Sequence, residues 1–355
     1  MPKPILAAML SCAGTKLTDE EKYLFSTFNP LGITLFGRNL QNKEQTVKLI
    51  EDIKNTINRD DVLIAIDEEG GRVSRLKPIM STEYVSAEIL GNSPVEYTKM
   101  HADLISSEML ELGINVNYAP VVDRKTFPEN PVLKGRCFSK DRAHIVKYAK
   151  TMTDTYISNG ICPCVKHLPT HFAAQEDPHL NSLEVGLSVS ELKEKTAYLQ
   201  NFSDIPVGMT THIILKSIDS EYPVTMSKKA ISEFLRGYLN FSGLLISDAI
   251  DMHALQGNIV NRSLLSLNAG VDVICYCSGI YKDLYAICQE RQFMAEKSLI
   301  RFAKVKKIIH NTLKNKDIND IKKRYHQEFA DKNKVQYGYD ATETLNQMLK
   351  KGENL

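Results

Sequence analysis

The 355-residue chain has almost no net charge: 44 lysines and arginines against 43 aspartates and glutamates leave a formal +1. A chain so balanced has no basic field to hold nucleic acid or an anionic membrane surface, so neither is an expected partner. It has no apolar run approaching the ~18 residues of a membrane-spanning helix. It also has no internal repeat and no Gly/Ser-rich or Pro-rich stretch that would read as a linker. One domain is therefore expected, and 43% hydrophobic residues suffice for a large core. Cysteine is sparse and odd in number, seven in all. Cys162/Cys164 and Cys275/Cys277 stand two apart in β-like runs, which puts each pair on one buried face. They read as reduced core thiols of a cytoplasmic protein, and their spacing is tighter than the Cys-x2-4-Cys of structural zinc sites. The start, Lys3–Cys12, is short for an export signal. A core strand is the preferred reading and a lipoprotein signal cleaved before Cys12 the alternative.

What the chain does have is alternation. Eight short apolar or β-branched runs recur, at 5–13, 32–36, 62–67, 114–122, 161–166, 205–213, 243–248 and 271–277. Between them, 42–58, 96–112, 141–158, 190–202, 227–239 and 260–269 carry helical period and good helix formers. Such alternation implies parallel strands joined by crossover helices. The expected fold is an α/β single-domain (β/α)8 TIM barrel, with a doubly wound open sheet as runner-up. The strand ends favour the barrel, since Arg38, Asp67, Asp123, Lys166 with His167, His212 and Asp248 all fall there. Charged groups at those ends would be costly in a core and suit a polar pocket. Ser139 or Asp141 is expected to cap the helix 141–158, with Gly160 closing it. From about 281 one long helical stretch is expected. The division predicted is a barrel over 1–312 and a charged helical tail over 313–355, packed on the barrel or extending from it.

The densest chemistry lies in Lys166–His179, where three imidazoles, a lysine and two acids follow the strand-like Ile161–Val165 within fourteen residues. A metal site built from His167, His171, Asp177 and His179 is the weaker reading, because Pro169 disfavours the helix that would align the first two. Lys166-His167-Leu168-Pro169-Thr170-His171-Phe172 with Asp177-Pro178-His179 resembles the Lys-His-Phe-Pro-Gly-His-Gly…Asp-Ser-His signature of bacterial β-N-acetylglucosaminidases of glycoside hydrolase family 3. Asp67-Glu68-Glu69-Gly70-Gly71-Arg72-Val73-Ser74-Arg75, Asn130–Phe138 and Ser247-Asp248-Ala249-Ile250-Asp251-Met252 resemble that family's other motifs, in the family's order.

The resemblance implies a retaining exo-enzyme without cofactor or metal. Its nucleophile would be Asp248 and its acid/base His179, supported by Asp177. Asp251 is the competing carboxylate, a turn further on. An imidazole of ordinary pKa ~6.5 can give and take a proton near neutrality, and a neighbouring carboxylate fixes its tautomer. Asp67, Arg75, Asp123, Arg136, Lys166 and His167 would bind the sugar's hydroxyls and N-acetyl group, with His212 lining the pocket. The implied setting is peptidoglycan recycling by a monomer. Its substrate would be a muropeptide, GlcNAc linked to 1,6-anhydro-N-acetylmuramic acid with or without a peptide. The chain departs from the signature at Thr170, Phe172 and Pro178, which replace two glycines and a serine and stiffen the loop. Two rivals remain: a β-glycoside phosphorylase using the same dyad, and a sugar-binding barrel without catalysis.

Overall fold

The computed structural model describes residues 3–80, 82–126, 130, 132–171, 184–311 and 316–330. Eight parallel strands close a barrel in chain order: β1 (Leu6–Leu10), β2 (Pro30–Leu35), β3 (Leu63–Ile66), β4 (Val116–Asn117), β5 (Cys162–Leu168), β6 (Val207–Thr210), β7 (Leu244–Ala249) and β8 (Val273–Cys275). β8 pairs back to β1 through Ala8 with Ile274 and Met9 with Cys275. Each strand overlaps one of the eight predicted runs, and the open sheet is excluded.

The period of two along each strand sorts its side chains into two buried groups. Met9, Leu31, Leu63, Ala65, Val116, Cys162, Cys164, Val207, Leu244, Ile246 and Val273 fill the barrel interior. Leu10, Ile33, Ile64, Ile66, Val165, Leu245 and Ile274 meet the surrounding helices. Burial on both faces is why these strands read as continuous apolar runs. Six of the seven cysteines are buried, Cys277 is half-buried, and none forms a disulfide. No helix among the described residues is long and apolar enough to cross a membrane.

The helix over Arg142–Ser158 starts at Asp141, whose side chain accepts from the His144 N–H at 2.8 Å. Gly160 follows it at φ +84°, a conformation that costs glycine little. The long helical stretch expected from about 281 consists of two helices, Tyr281–Gln289 and Glu296–Ile309. Between them Arg291 turns left-handed at φ +50°. The next residues run beside β1: the Ala7 N–H donates to Gln292 O and the Met294 N–H to Ile5 O, both at 2.8 Å. Backbone pairing with β1 outweighs the local helical preference there. Among the elements with no counterpart in the sequence are the helix Asp19–Phe28, opened by a Thr18/Glu21 capping box, and a small antiparallel ribbon, Glu68–Gly70 with Val73–Ser74, just after β3. The last helix among the described residues, Ile318–Phe329, packs on the helix Val95–Leu112 with Tyr325 and Phe329 buried.

Candidate active site

All the polar side chains expected at strand ends gather at the carboxyl end of the barrel, where loops are free to vary. Asp67 directly follows β3 and accepts from Lys166 Nζ of β5 at 2.6 Å. The same ammonium lies 2.7 Å from Glu69 Oε1, and Arg136 grips both Glu69 oxygens at 2.8 Å each. A buried lysine and a half-buried arginine thus share two carboxylates across three segments of chain. Burial alone would raise the Glu69 carboxyl, but Arg136 and Lys166 overcome it and hold it well below the usual range. For Lys166, burial works to lower the pKa, and Asp67 and Glu69 reverse that, so the ammonium is kept charged. The sequence does not single out Glu69; nothing in three consecutive acids says which one turns toward the cations. Arg75 is buried close by, its charge acting on Glu68 and its N–H donating to Asp67 O at 3.3 Å.

Asp123, beyond β4, is committed to the start of the loop after β5. Its carboxylate accepts from the His167 N–H at 3.2 Å, His167 Nδ1 at 2.9 Å, Thr170 Oγ1 at 3.2 Å and the His171 N–H at 2.5 Å. The bond to Nδ1 places that proton and leaves His167 Nε2 facing away from Asp123. His171 sits edge-on to His167 with ring centroids 4.3 Å apart. Burial, with His167 beside it, pushes His171 down to about 3. Its Nε2 meets Thr211 Oγ1 at 3.2 Å, and its Nδ1 is buried with no partner among the described residues.

Asp248 ends β7. Among the described residues its only hydrogen bond is to Oδ1, from the Ala249 N–H at 2.8 Å. Burial works to raise its carboxyl, but the imidazoles of His212, His167 and His171 and that N–H bring it below the usual carboxylate range. Asp248 is therefore ionised at neutral pH with one oxygen uncommitted. His212 lies two residues beyond β6, and its Nε2 donates to Ala249 O at 2.9 Å while Nδ1 meets Thr225 Oγ1 at 2.8 Å. Burial lowers its pKa, so this neutral ring fixes the peptide next to Asp248. Asp251 is used differently, its oxygens accepting from the Cys277 and Ser278 N–H groups at 3.2 and 2.8 Å. Arg38 binds Ser11 Oγ and the Cys12 and Cys277 carbonyls, closing the rim between β1, β2 and β8. Asp177 and His179 lie outside the described residues.

His167, His171 and Asp248 each offer a ligand atom within 4.8 Å of the others, so a divalent cation could be held there. This trio differs from the set that the sequence suggests, because the barrel brings in Asp248 from a distant strand.

In the first strand of the ribbon, Glu68 is fully buried. One oxygen accepts from the Leu76 N–H at 3.0 Å and the other meets no partner among the described residues. Burial pushes its carboxyl up to about 8. A raised folded-state pKa gives stability that is complete below the ordinary value near 4.5 and is lost as pH climbs through about 8. Each tenfold difference in proton affinity between the folded and unfolded chain is worth about 1.4 kcal/mol. Wild type should therefore lose a few kcal/mol between pH 5 and 8.5 that Glu68→Gln does not lose. Denaturant melts at the two pH values measure this, and parallel losses in both proteins would refute it.

Fixed donors and acceptors around an ionised carboxylate, at the mouth of a (β/α)8 barrel, are the equipment of a glycoside-cleaving enzyme. Residues 6–316 match the glycosyl hydrolase family 3 N-terminal domain. A β-hexosaminidase of Haemophilus influenzae is 30% identical over 280 residues, covering 76% of this chain and 79% of that one. β-Hexosaminidase A of Pseudoalteromonas piscicida is also 30% identical, over 288 residues and 74% of this chain, but the chain spans only 48% of that protein's length. Among solved structures, NagZ of Neisseria gonorrhoeae in complex with N-trifluoroacetyl-D-glucosamine has the same fold. Its TM-score is 0.79 at 24% identity, over 91% of this chain and 98% of that one. The chain belongs to glycosyl hydrolase family 3, among its hydrolases of the β-hexosaminidase type.

Proposed function

We propose that the protein is a retaining exo-β-N-acetylglucosaminidase that removes terminal GlcNAc from peptidoglycan fragments, GlcNAc-1,6-anhydro-MurNAc with or without its peptide. It would work as a cytoplasmic monomer without a cofactor. The observation that carries this is Asp248, an ionised carboxylate at a strand end with one oxygen uncommitted. It would attack the anomeric carbon while His179, supported by Asp177, gives its proton to the departing glycosidic oxygen. The glycosyl-Asp248 ester then yields to water, whose proton returns to His179. Asp67, Arg75, Arg136, Lys166 and His167 would hold the sugar, and Asp123 would bind it or, through the loop it fixes, present those that do. His212 would line the pocket. The binding of an N-acylated glucosamine by the Neisseria relative supports this choice of sugar.

Burst kinetics with an aryl β-N-acetylglucosaminide test the reading. Wild type should turn over at a rate indifferent to inorganic phosphate. His179→Ala should slow by about 10²–10⁴-fold, the usual worth of a general acid/base, with partial rescue by azide. Phosphate-dependent turnover would make the protein a phosphorylase instead. GlcNAc binding with no turnover would make it a binding barrel.

A further inference from the structure

The family match ends at residue 316, and the helix Ile318–Phe329 that follows packs on the helix Val95–Leu112. Tyr325 packs on Phe329, His101 and Tyr84 with ring centroids 4.7, 5.9 and 6.1 Å apart. Its hydroxyl accepts from the Val85 N–H at 3.1 Å and meets His101 Nδ1 at 2.9 Å. Burial holds His101 at about 3, so the ring is neutral, and Nδ1 can take the phenol's proton as its hydrogen bond. The base of the helix is anchored as well, since Lys316 Nζ donates to Asp103 Oδ1 at 2.5 Å and Asn159 Oδ1 at 2.6 Å.

The other side of Val85 and His101 is the seat of the ribbon after β3. A Cβ on Gly70 would come within 2.4 Å of Val85 O and 3.0 Å of His101 Cε1, and one on Gly71 within 2.6 Å of Ser86 Cβ. The Gly71 N–H donates to Tyr84 O at 2.8 Å. Both glycines have positive φ, +85° and +60°, so the turn lies flat on this seat because no side chain holds it off. Immediately before the turn come Asp67 and Glu69, the carboxylates that hold Lys166 and Arg136. A shift of the seat is therefore a shift of those four groups.

We infer that Tyr325 is a positioning residue for saccharide binding: through Val85 and His101 it sets the ribbon that carries Glu69 and follows directly on Asp67, so a helix beyond the family match tunes the site. This rests on the proposal above that Asp67, Lys166 and Arg136 hold the sugar.

Tyr325→Phe keeps the ring and removes the hydroxyl. Expected are a rise of about tenfold in KM for an aryl β-N-acetylglucosaminide and in Ki for GlcNAc, one hydrogen bond's worth of binding, with kcat within about twofold. Amide exchange should quicken in peptides covering 67–75 and stay unchanged in the barrel strands. A merely structural tyrosine would lower Tm and speed exchange generally, with KM and Ki unmoved, and that result overturns the inference. Lys316→Met, which loosens the helix and leaves its rings intact, should raise KM by a smaller factor. It serves if the phenylalanine variant does not fold, and an unchanged KM in it is equally fatal. Asp67→Asn separates the two layers. No rise in KM there defeats the sugar-site reading itself. A rise there with none in Tyr325→Phe defeats only the role of the tyrosine.

Discussion

Asp248→Ala is expected to lower kcat by about 10⁴-fold or more, the scale seen when a covalent nucleophile is removed, while the far-ultraviolet dichroism stays that of the wild type. The side chain ends β7, and its one hydrogen bond among the described residues comes from the adjacent Ala249 N–H, so its loss leaves little of the fold unsupported. Mass spectrometry of wild type with a slow fluorinated substrate should show a glycosyl adduct on the peptide containing Asp248, absent from the variant. Asp251→Ala is the informative contrast. That carboxylate supports the Cys277 and Ser278 N–H groups, so its removal should cost stability first and activity only in consequence. Wild-type turnover in Asp248→Ala, or an adduct on Asp251, would end the assignment.

Glu69→Ala should cost about 3–5 kcal/mol of stability, because it strands Arg136 and half-strands Lys166 in a buried site. The carboxyl's depressed pKa gives the sign of the acid response. Its contribution is present above the ordinary carboxylate range and disappears as pH falls through the lowered value, so the wild type should hold this pairing throughout the neutral range. Urea melts at pH 7 read the loss. The double variant Glu69→Leu with Arg136→Met should recover much of it, since a buried pair replaced by apolar groups is often neutral. A single-variant loss under about 1 kcal/mol would mean that the pair is hydrated and its charges are not buried together.

How much of this could be read from the residues depended on the range of the interaction responsible. Runs such as Leu63–Ile66 and Leu244–Ile246 declare a strand buried on both faces by their own composition, so eight strands and their closure were legible. Asp141 declares its cap because the groups it satisfies are three residues away. The split at Arg291 was not legible. The pairing partner of Gln292–Met294 is β1, almost 300 residues earlier, and no local pattern carries that information. Glu69 was hidden for the same reason, its cations arriving from Arg136 and Lys166. Tyr325 falls in the stretch whose composition declares only a charged tail, and its partners Val85 and His101 lie more than 200 residues upstream. The loop that holds Asp177 and His179 was legible only through its resemblance to a signature and lies outside the described residues.

The same closure has a consequence for the chain as it is made. β1 is complete by Leu10, but its second neighbour, β8, ends at Cys275, and the backbone partners of Ile5 and Ala7 are Met294 and Gln292. At ribosomal speeds of about 5–20 residues per second, one side of this apolar strand waits on the order of tens of seconds for the strand that will cover it. During that interval it is an open edge, the kind of surface that invites pairing with another chain. Production of the protein should be limited less by the stability of the finished barrel than by how well the nascent chain is shielded until its last strand emerges.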